Sequence, residues 1–510
     1  MNYEKLAELL FPHIDKTPAD YEAMYPARDL PAGAKVTRLG PSPTGFIHLG
    51  NLYGAFVDER LAHQSGGKFF LRIEDTDDKR YVEGAVEIII NSLRFFGIQF
   101  DEGATMNGDI GDYGDYTQSH RGPIYQCFAK KLVAEGKAYP CFMTEADIAE
   151  IHAQQEAQKA NPGIYGKWAK SRDLSMEEIE AKLAAGTPYV IRLKSDGDMS
   201  LPEDQIKRFQ VEDAIRGTLD MPVNDQDTVL LKATGIPTYH FAHVVDDHLM
   251  RTTHVVRGAE WLPSLPIHVE LFEKLGWEVP IYCHTAQLMK LDEEGNKRKL
   301  SKRKDPELSL DYYRNEGYHP AAVREYLLTI LNSNFEEWRI ANPDAPIDDF
   351  AFTTEKMSNS GALFDLNKLN DISNAENLAD SRFFNFNCLF DHIYGSIDTE
   401  YTAVQAQVVA VYLAPAFAGV VIVIARTFFI CFDDTIFCFC ICQIINFCNS
   451  SNTRLQIRVE KYAETVIKIC QCIIRATTDH DTRSLSCDFL DSFKLSQENF
   501  LINWHIRECR

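Results

Sequence analysis

The amino terminus lacks the basic stretch and apolar core of a secretory leader, since it reads Met-Asn-Tyr-Glu-Lys-Leu. Most of the chain also has little cysteine: Cys127, Cys141 and Cys283 are the only cysteines before residue 380. A body this poor in cysteine fits a reducing compartment and excludes a disulfide framework as the main source of stability. We therefore expect a cytoplasmic protein.

Positive charge is in the minority, with 52 Lys and Arg against 74 Asp and Glu and a formal net charge of −22. Such a balance excludes non-specific binding of polyanions by the whole surface. A local basic face can still bind a nucleic acid, because binding depends on the face in contact. A chain of 510 residues is too long for one core, and about two to four domains are expected.

The carboxyl-terminal part lacks turn residues. Beyond residue 370 only Gly395 and Gly419 remain of 28 glycines, and only Pro415 of 21 prolines, whereas all but three of the 13 cysteines lie there. A folded domain of this length needs more turn residues. No helix or strand–turn rhythm is evident through residues 380–450, and the charge-free run 408–425 is at the lower edge for a membrane span.

Residues 34–73 have the pattern of a parallel α/β sheet. An apolar strand at 34–39 leads through a Pro/Gly turn into a helical pattern from about Leu49 to Ser65, and a second strand follows at Phe69–Ile73. In such sheets ligands bind beyond the carboxyl ends of the strands, where the 41–48 turn and Glu74 fall. A sheet pattern resumes at 237–247, followed by a strand at His254–Gly258.

His48 opens the predicted helix, with the small Gly50 beside it. An imidazole at a helix amino end can hold phosphate oxygens while charge develops on a leaving pyrophosphate, and Gly50 lets an adenine ring approach closely. The simpler interpretation is a helix-capping histidine. The Pro-Ser-Pro-Thr-Gly sequence at 41–45 favours the phosphate site.

Residues 297–304 read Lys-Arg-Lys-Leu-Ser-Lys-Arg-Lys and resemble a mobile basic loop. Lys299 and Lys302 flank Leu300-Ser301, so two ammonium groups and a hydroxyl can act on one triphosphate. A solvated basic patch is the alternative. Together with the His48 turn, the loop indicates adenylate formation from ATP.

Two arginines, Arg38 and Arg257, fall at predicted strand ends that face one crevice, with Tyr239 on the strand between them. They could grip carboxylates, while Glu74 and Glu260 could bind an ammonium group or pair with the arginines as structure. Two arginines and two carboxylates suit an acidic amino acid.

Metal sites are not predicted. Asp246-Asp247 is interpreted as a strand end or helix cap. No paired cysteine motif surrounds Cys141, so no zinc is expected in that region. The Cys438–Cys442 run lacks the turn residues of a metal knuckle.

These motifs together resemble bacterial glutamyl-tRNA synthetase, a class I aminoacyl-tRNA synthetase, over roughly residues 34–370. The resemblance is carried by 38–51, 71–77, 239–247, 257–261 and 299–303, and it persists through Gly361–Asn370. It implies that His48, Lys299 and Lys302 are catalytic. It implies an ATP site bordered by His48, Gly50, Glu260, Leu288 and Lys302, and a glutamate site formed by Arg38, Ser42, Glu74, Tyr239, His243 and Arg257.

The resemblance also implies a fold: a Rossmann-like parallel sheet with an inserted α/β domain that binds the acceptor end of tRNA, followed by a helical region. The expected parts are an extension (1–33), a split catalytic domain (34–104 and 236–306), the insertion (105–235), a helical stem-contact region (307–372) and an unmatched segment (373–510). For that last segment, a shifted reading frame, a fused unrelated segment and a degenerate anticodon-binding region stay open.

Glutamate, ATP with Mg²⁺ and tRNA(Glu) are the implied partners of a monomer, and no membrane is expected. The implied reaction joins glutamate to tRNA through glutamyl-adenylate. Two alternatives remain: the shorter paralogue that glutamylates a modified tRNA base (the glutamyl-queuosine type), and a catalytically dead tRNA-binding relic. The paralogue usually carries a zinc site, and the intact His48, Lys299, Lys302 and Arg257 oppose the relic.

Overall fold

The computed structural model describes residues 1–45, 47–77, 82–198, 201–292 and 294–379, and three strands between residues 403 and 446. The backbone alone is described for 375–379 and for those three strands. Phe46 of the 38–51 motif and most of residues 373–510 lie outside the described residues. The chain divides into two compact units, Met1–Phe384 and Asn385–Arg510.

The first unit is mixed α/β. Its helices are α1 Tyr3–Leu10, α2 Pro18–Met24, α3 Leu49–Gln64, α4 Ala85–Phe95, α5 Gly122–Ala134, α6 Glu145–Ala157, α7 Met176–Ala184, α8 Tyr239–Leu249, α9 Leu265–Leu275, α10 Leu310–Asn315, α11 Pro320–Leu331, α12 Phe335–Ala341 and α13 Leu366–Ala379. Its strands are β1 Val36–Leu39, β2 Lys68–Leu71, β3 Glu102–Thr105, β4 Gly108–Ile110, β5 Ala138–Cys141, β6 Val190–Leu193, β7 Arg208–Asp213, β8 Gly217–Pro222, β9 Val229–Leu231, β10 His254–Gly258, β11 Ile281–Thr285, β12 Leu288–Leu291, β13 Lys297–Lys299 and β14 Ala362–Leu363.

Parallel strands form the centre of this unit. In one sheet β1, β2 and β3 run parallel and β4 returns as a hairpin; in another β10, β11 and β7 run parallel, with β8 antiparallel at the edge. The two sheets meet where the Thr253 N–H donates to the Val36 carbonyl at 2.9 Å. Strand β1 is buried at every residue, as expected for a parallel strand covered on both faces.

Helix α3 connects β1 to β2, and the short turn from the end of α3 into β2 depends on Gly67. A Cβ on Gly67 would lie 1.8 Å from the Lys35 carbonyl oxygen, so no larger residue fits there. The helical region after the hairpin docks on α3: Arg60 donates to the Ile347 carbonyl at 2.8 Å and Gln64 to the Phe350 carbonyl at 2.6 Å. Helix α3 and the turn before it are therefore held from both sides.

The segment from 105 to 235 is only partly separate from the central strands. Its own antiparallel sheet is β5, β6 and β9, whereas β7 pairs with β11 of the central sheet. The first helices also pack into the body, because Leu6 and Leu10 of α1 share a buried cluster with Phe128 and Leu132 of α5. The segment 1–33 is thus part of the core packing.

Three sequence-based expectations differ from the structure. The sheet predicted at 237–247 is helix α8. The prediction was wrong because Tyr, Phe and Val favour strands in isolation, whereas burial of their side chains against the rest of the domain determines the conformation here. The basic stretch expected to be a loop begins with β13, paired antiparallel to β12.

The third difference lies in the second unit, which has an antiparallel meander of β15 Ala403–Val411, β16 Val421–Phe432 and β17 Thr435–Asn446, although no strand–turn rhythm is evident in its sequence. Strands β16 and β17 are mainly apolar at successive positions, so the alternation that marks a half-exposed strand is not visible in them. None of the described helices is long and apolar enough to cross a membrane.

Candidate active site

The turn before α3 places an imidazole at the amino end of a helix. His48 precedes α3 in an extended backbone conformation, and its N–H donates to Oδ1 of Asn51 at 3.1 Å. A Cβ on Gly50 would lie 3.0 Å from Cε1 and Nδ1 of the His48 ring. Any side chain at Gly50 would therefore press on the imidazole at the helix end, where free N–H groups favour phosphate oxygens.

The basic stretch 297–304 is held in a defined conformation by Asp305. Arg298 of β13 forms a two-pronged ion pair with Asp305, at 2.6 and 2.7 Å, and Asp305 also accepts the Ser301 N–H at 2.8 Å. The Arg298 hydrogen bond is the main cause that lowers the pKa of Asp305 to about 2. Leu300 is buried in the main core, while Lys302 is exposed. The turn that carries the lysines is thus anchored on both sides.

The folded chain brings these two stretches together. His48 forms an antiparallel bridge with Ser309, just beyond the basic turn. The pKa of His48 is lowered, first by burial and next by the positive charges of Lys302 and Lys299. An uncharged imidazole can donate a hydrogen bond at neutral pH, while the two lysines supply positive charge beside it.

The other residues expected around ATP have different surroundings. Glu260 is exposed in the turn after β10, accepts from Nε2 of Gln287 at 3.1 Å, and its charge opposes the lowering of the His48 pKa. Leu288 is buried at the start of β12, the strand that carries the basic hairpin. Glu260 and the lysines of the hairpin therefore act on the His48 imidazole with opposite charges.

Four of the residues expected around glutamate, Arg38, Glu74, Tyr239 and Arg257, lie close together at the carboxyl ends of β1, β2 and β10 and in the first turn of α8. This is where a parallel sheet is expected to have its ligand cleft. Burial raises the pKa of Tyr239, and the charges of Arg257, Glu74 and Arg38 also act on it. Tyr239 begins α8, and its ring packs on Trp261 with the ring centroids 4.6 Å apart. Ser42 lies exposed in the turn after β1.

One side of the cleft is a network of ion pairs centred on Asp247. Its carboxylate accepts from Nε of Arg38 at 3.1 and 3.2 Å and from Nη1 of Arg72 at 2.6 Å, and Arg72 in turn donates to Glu74 at 2.9 Å. Burial alone would raise the pKa of Asp247. The guanidinium groups of Arg38 and Arg72 outweigh burial and hold this pKa well below its usual range. Arg38 is therefore neutralised before any substrate arrives.

His243 belongs to the wall behind this network. It is fully buried, lies 2.8 Å from Oδ2 of Asp247 and 3.2 Å from the Tyr282 hydroxyl, and stacks on the Tyr239 ring. Burial lowers the pKa of His243 to about 3. In this structure His243 therefore orients the tyrosines and Asp247.

The interpretation of Asp246-Asp247 as a strand end or helix cap is wrong. Both lie inside α8 and are buried. Asp246 accepts from Arg121 at 2.7 Å, from Gln118 at 2.8 Å and from the Tyr125 hydroxyl at 2.8 Å. The two carboxylates thus join α8 to the strands on one side and to the inserted segment on the other.

The opposite side of the cleft is built of histidines. Arg257 donates from Nε to Nε2 of His284 at 2.9 Å and from Nη1 to Nδ1 of His268 at 2.9 Å, and its guanidinium lies over the Tyr282 ring at 4.6 Å. Its Nη2 is buried and has no hydrogen-bond partner in the structure. Sequence reasoning missed His268, His284 and Arg72. The contacts of Arg72 with Asp247 and of His284 with Asp213 join residues far apart in the chain, and the contact of His268 with Arg257 depends on how α9 packs.

No group of three His, Cys, Asp or Glu side chains suited to a metal ion is found where the structure describes the chain. The candidate site thus consists of an imidazole, ammonium groups and a helix end for phosphate, beside a cleft with two arginines and one glutamate. A parallel sheet with these two parts at its carboxyl ends defines the catalytic domain of a class I aminoacyl-tRNA synthetase.

Comparison with known proteins gives the family. Residues 35–371 match the model for the catalytic domain of class I tRNA synthetases (E and Q). A glutamate–tRNA ligase of Acetivibrio thermocellus is 67% identical over 374 residues, which are 73% of this chain and 67% of that protein, and one of Clostridium perfringens strain 13 is 55% identical over the same shares. The chain belongs to the class I tRNA synthetases for glutamate and glutamine.

A solved structure agrees with this assignment. The crystal structure of a glutamate tRNA ligase from Elizabethkingia meningosepticum in complex with its amino acid is 30% identical, with a TM-score of 0.58 over 72% of this chain and 74% of that one. The predicted family and fold class are thereby confirmed. The matched segment spans about two thirds of the curated relatives' length.

Proposed function

We propose that this chain attaches glutamate to tRNA through a glutamyl-adenylate formed from ATP. The observation that carries the proposal is the meeting of His48 with Lys299 and Lys302 next to the cleft of Arg38, Glu74, Tyr239 and Arg257. The names of the relatives support glutamate as the amino acid and tRNA as the acceptor, and they favour neither the base-modifying paralogue nor the inactive relic.

In the first step an oxygen of the glutamate α-carboxylate would attack the α-phosphorus of ATP. The bond to the bridging oxygen breaks, and pyrophosphate leaves with the electron pair. Negative charge grows on the leaving oxygens, where the N–H of neutral His48, the free N–H groups of α3 and the charges of Lys299 and Lys302 would stabilise it. Lys302, on an exposed turn with an anchored base, can follow the moving phosphates.

In the second step a terminal ribose hydroxyl of tRNA would attack the activated carbonyl, and AMP leaves. No covalent bond to the protein is needed, so positioning and charge stabilisation supply the rate. Arg38, Ser42, Glu74, Tyr239 and Arg257 would hold the glutamate. His243 would act indirectly, by orienting Tyr239 and Asp247.

ATP use is typical of the family, and Mg²⁺ would arrive with the triphosphate and offset its charge. The part of segment 105–235 that surrounds β5, β6 and β9 would bind the acceptor end of tRNA, and residues 307–372 its stem. We further propose that the protein works in the cytoplasm as a monomer.

The test is charging of tRNA with labelled glutamate by the purified 510-residue chain. Label that ribonuclease A releases from the tRNA as glutamyl-adenosine, the aminoacylated 3' end, supports the proposal. If purified chain that binds ATP leaves tRNA uncharged, and glutamate with tRNA produces no exchange of pyrophosphate into ATP, the proposal is wrong. Label that stays on an internal nucleotide after the same digestion would instead indicate modification of a base.

A further inference from the structure

Arg257 is held by neutral partners. Its guanidinium donates to His284 and His268 and also acts on the neutral Tyr239 hydroxyl, and no Asp or Glu of the described chain forms an ion pair with it. Arg38, across the cleft, has the carboxylate of Asp247. The charge of Arg38 is therefore balanced by a carboxylate of the protein, whereas the charge of Arg257 is not.

The hydrogen bonds fix the protonation of the histidines. Arginine can only donate, so Nε2 of His284 and Nδ1 of His268 must both be bare acceptors. The proton of His284 is then on Nδ1 and points to Asp213, 2.6 Å away. The proton of His268 is on Nε2 and points to Nδ1 of His240, 2.9 Å away.

Burial reinforces this arrangement. His268 and His284 are fully buried. Burial is the main cause that lowers the pKa of His268 well below its usual range, and it also lowers the pKa of His284. A protonated imidazole at either position would present an N–H to the guanidinium, so the bonds seen here require the neutral forms.

We infer that His268 and His284 are positioning residues that fix the Arg257 guanidinium through neutral acceptors, so that its charge and its free Nη2 remain available for a carboxylate of the amino acid substrate. The inference rests on the proposed function, which supplies that substrate. A carboxylate in place of either histidine would position Arg257 equally well but would neutralise it. Neutrality, and not bonding alone, is therefore what the histidines contribute.

Two substitutions at one position separate bonding from charge. In His268→Asn the amide oxygen can stand near the place of Nδ1 and accept from Arg257. His268→Asp has the same shape and carries a negative charge. We expect the KM for glutamate in tRNA charging to be higher for His268→Asp than for His268→Asn by roughly tenfold or more, the value of a charged hydrogen bond, with the KM for ATP within about twofold.

Equal glutamate KM values for the two variants, or an equal rise in the KM for ATP, would overturn the inference. If His268→Asp does not fold, the same measurement is made on a second pair of variants, His284→Gln and His284→Leu. Gln can place its amide oxygen near Nε2, and Leu cannot accept, so Leu should raise the glutamate KM by roughly tenfold more than Gln. Equal values for these two would also overturn it.

Glutamate binding measured by calorimetry on the same full-length proteins distinguishes this inference from the proposed function. A wild-type chain that binds glutamate without charging tRNA contradicts the proposed function, and weaker binding by His268→Asp than by His268→Asn still supports the inference. Equal binding by the two variants contradicts the inference alone. A wild-type chain that does neither contradicts both.

Discussion

The two compact units of this chain differ in how their sequences are built. In Met1–Phe384, glycines and prolines interrupt the elements at short intervals, the buried Asp246 and Asp247 form ion pairs with arginines, and residues 35–371 match a known catalytic domain. In Asn385–Arg510 the described strands are long, apolar and rich in cysteine, with two glycines and one proline in the whole unit. Every residue of the candidate site lies in the first unit.

This difference separates the groups needed for amino acid activation from the rest of the chain. Activation of the amino acid needs only groups that the first unit supplies, whereas the remaining third of the relatives' length has no counterpart in the match. Substitutions in the first unit should therefore change stability or catalysis by predictable amounts. Removal of the second unit should leave activation intact. The four predictions below test that contrast.

The largest effect is expected at Asp247. Replacement by Ala leaves Arg38 and Arg72 buried without their shared carboxylate, which should lower the free energy of unfolding by about 3–5 kcal/mol. Urea denaturation followed by circular dichroism measures it. Asp348→Ala is the control, because the Arg60–Asp348 pair is 68% exposed on the aspartate side and should contribute only about 0–1 kcal/mol. Equal losses would mean that the buried network is not what holds the strands and α8 together.

The next effect concerns catalysis. Lys302→Ala removes a charge that acts on His48, and it should lower kcat for charging by roughly a hundredfold to a thousandfold while leaving the KM for glutamate nearly unchanged. Lys304→Ala removes a charge of the same kind from the same exposed turn, and its effect should be within about threefold. If the two variants lose activity alike, the turn acts as a diffuse basic patch.

The sequence predicted the parts of this site that depend on local pattern. The turn before α3, β1, β2 and the basic stretch were visible because helix starts, Gly/Pro turns and charge runs are local signals. Asp213 and His284, by contrast, are 71 residues apart and meet only through the pairing of β7 with β11. Helix α8 was misassigned because its strand-forming residues are buried against neighbours that no local window contains. Long-range burial thus decides what sequence patterns leave open.

A smaller effect is expected from Asp58 in α3. Its side chain is 1% exposed, neither carboxyl oxygen has a hydrogen-bond partner in the structure, and burial raises its pKa well above the usual range. A raised pKa in the folded state stabilises the fold at acid pH, and this contribution is lost as pH rises towards the folded pKa. Asp58→Asn, which cannot ionise, should therefore gain about 1–3 kcal/mol over wild type at pH 8.

Thermal unfolding at several pH values tests this prediction. The gain of Asp58→Asn should shrink as the pH falls and should vanish only below the ordinary Asp pKa of 3.8, where Asp58 is protonated in the unfolded chain as well as in the folded one. A gain that is the same at pH 4 and pH 8 would show that the Asp58 carboxyl is not the titrating group.

Removal of the whole second unit is expected to change catalysis least. A chain that ends at Phe384 keeps both arginines, His48 and the basic hairpin, so glutamate- and tRNA-dependent exchange of pyrophosphate into ATP should stay within about threefold of the full chain. Its soluble yield should rise, because the apolar strand Val421–Phe432 has the composition of an aggregation-prone segment. Loss of exchange in a shortened chain that is folded by circular dichroism would show that the second unit contributes to activation, and the contrast between the units would then fail.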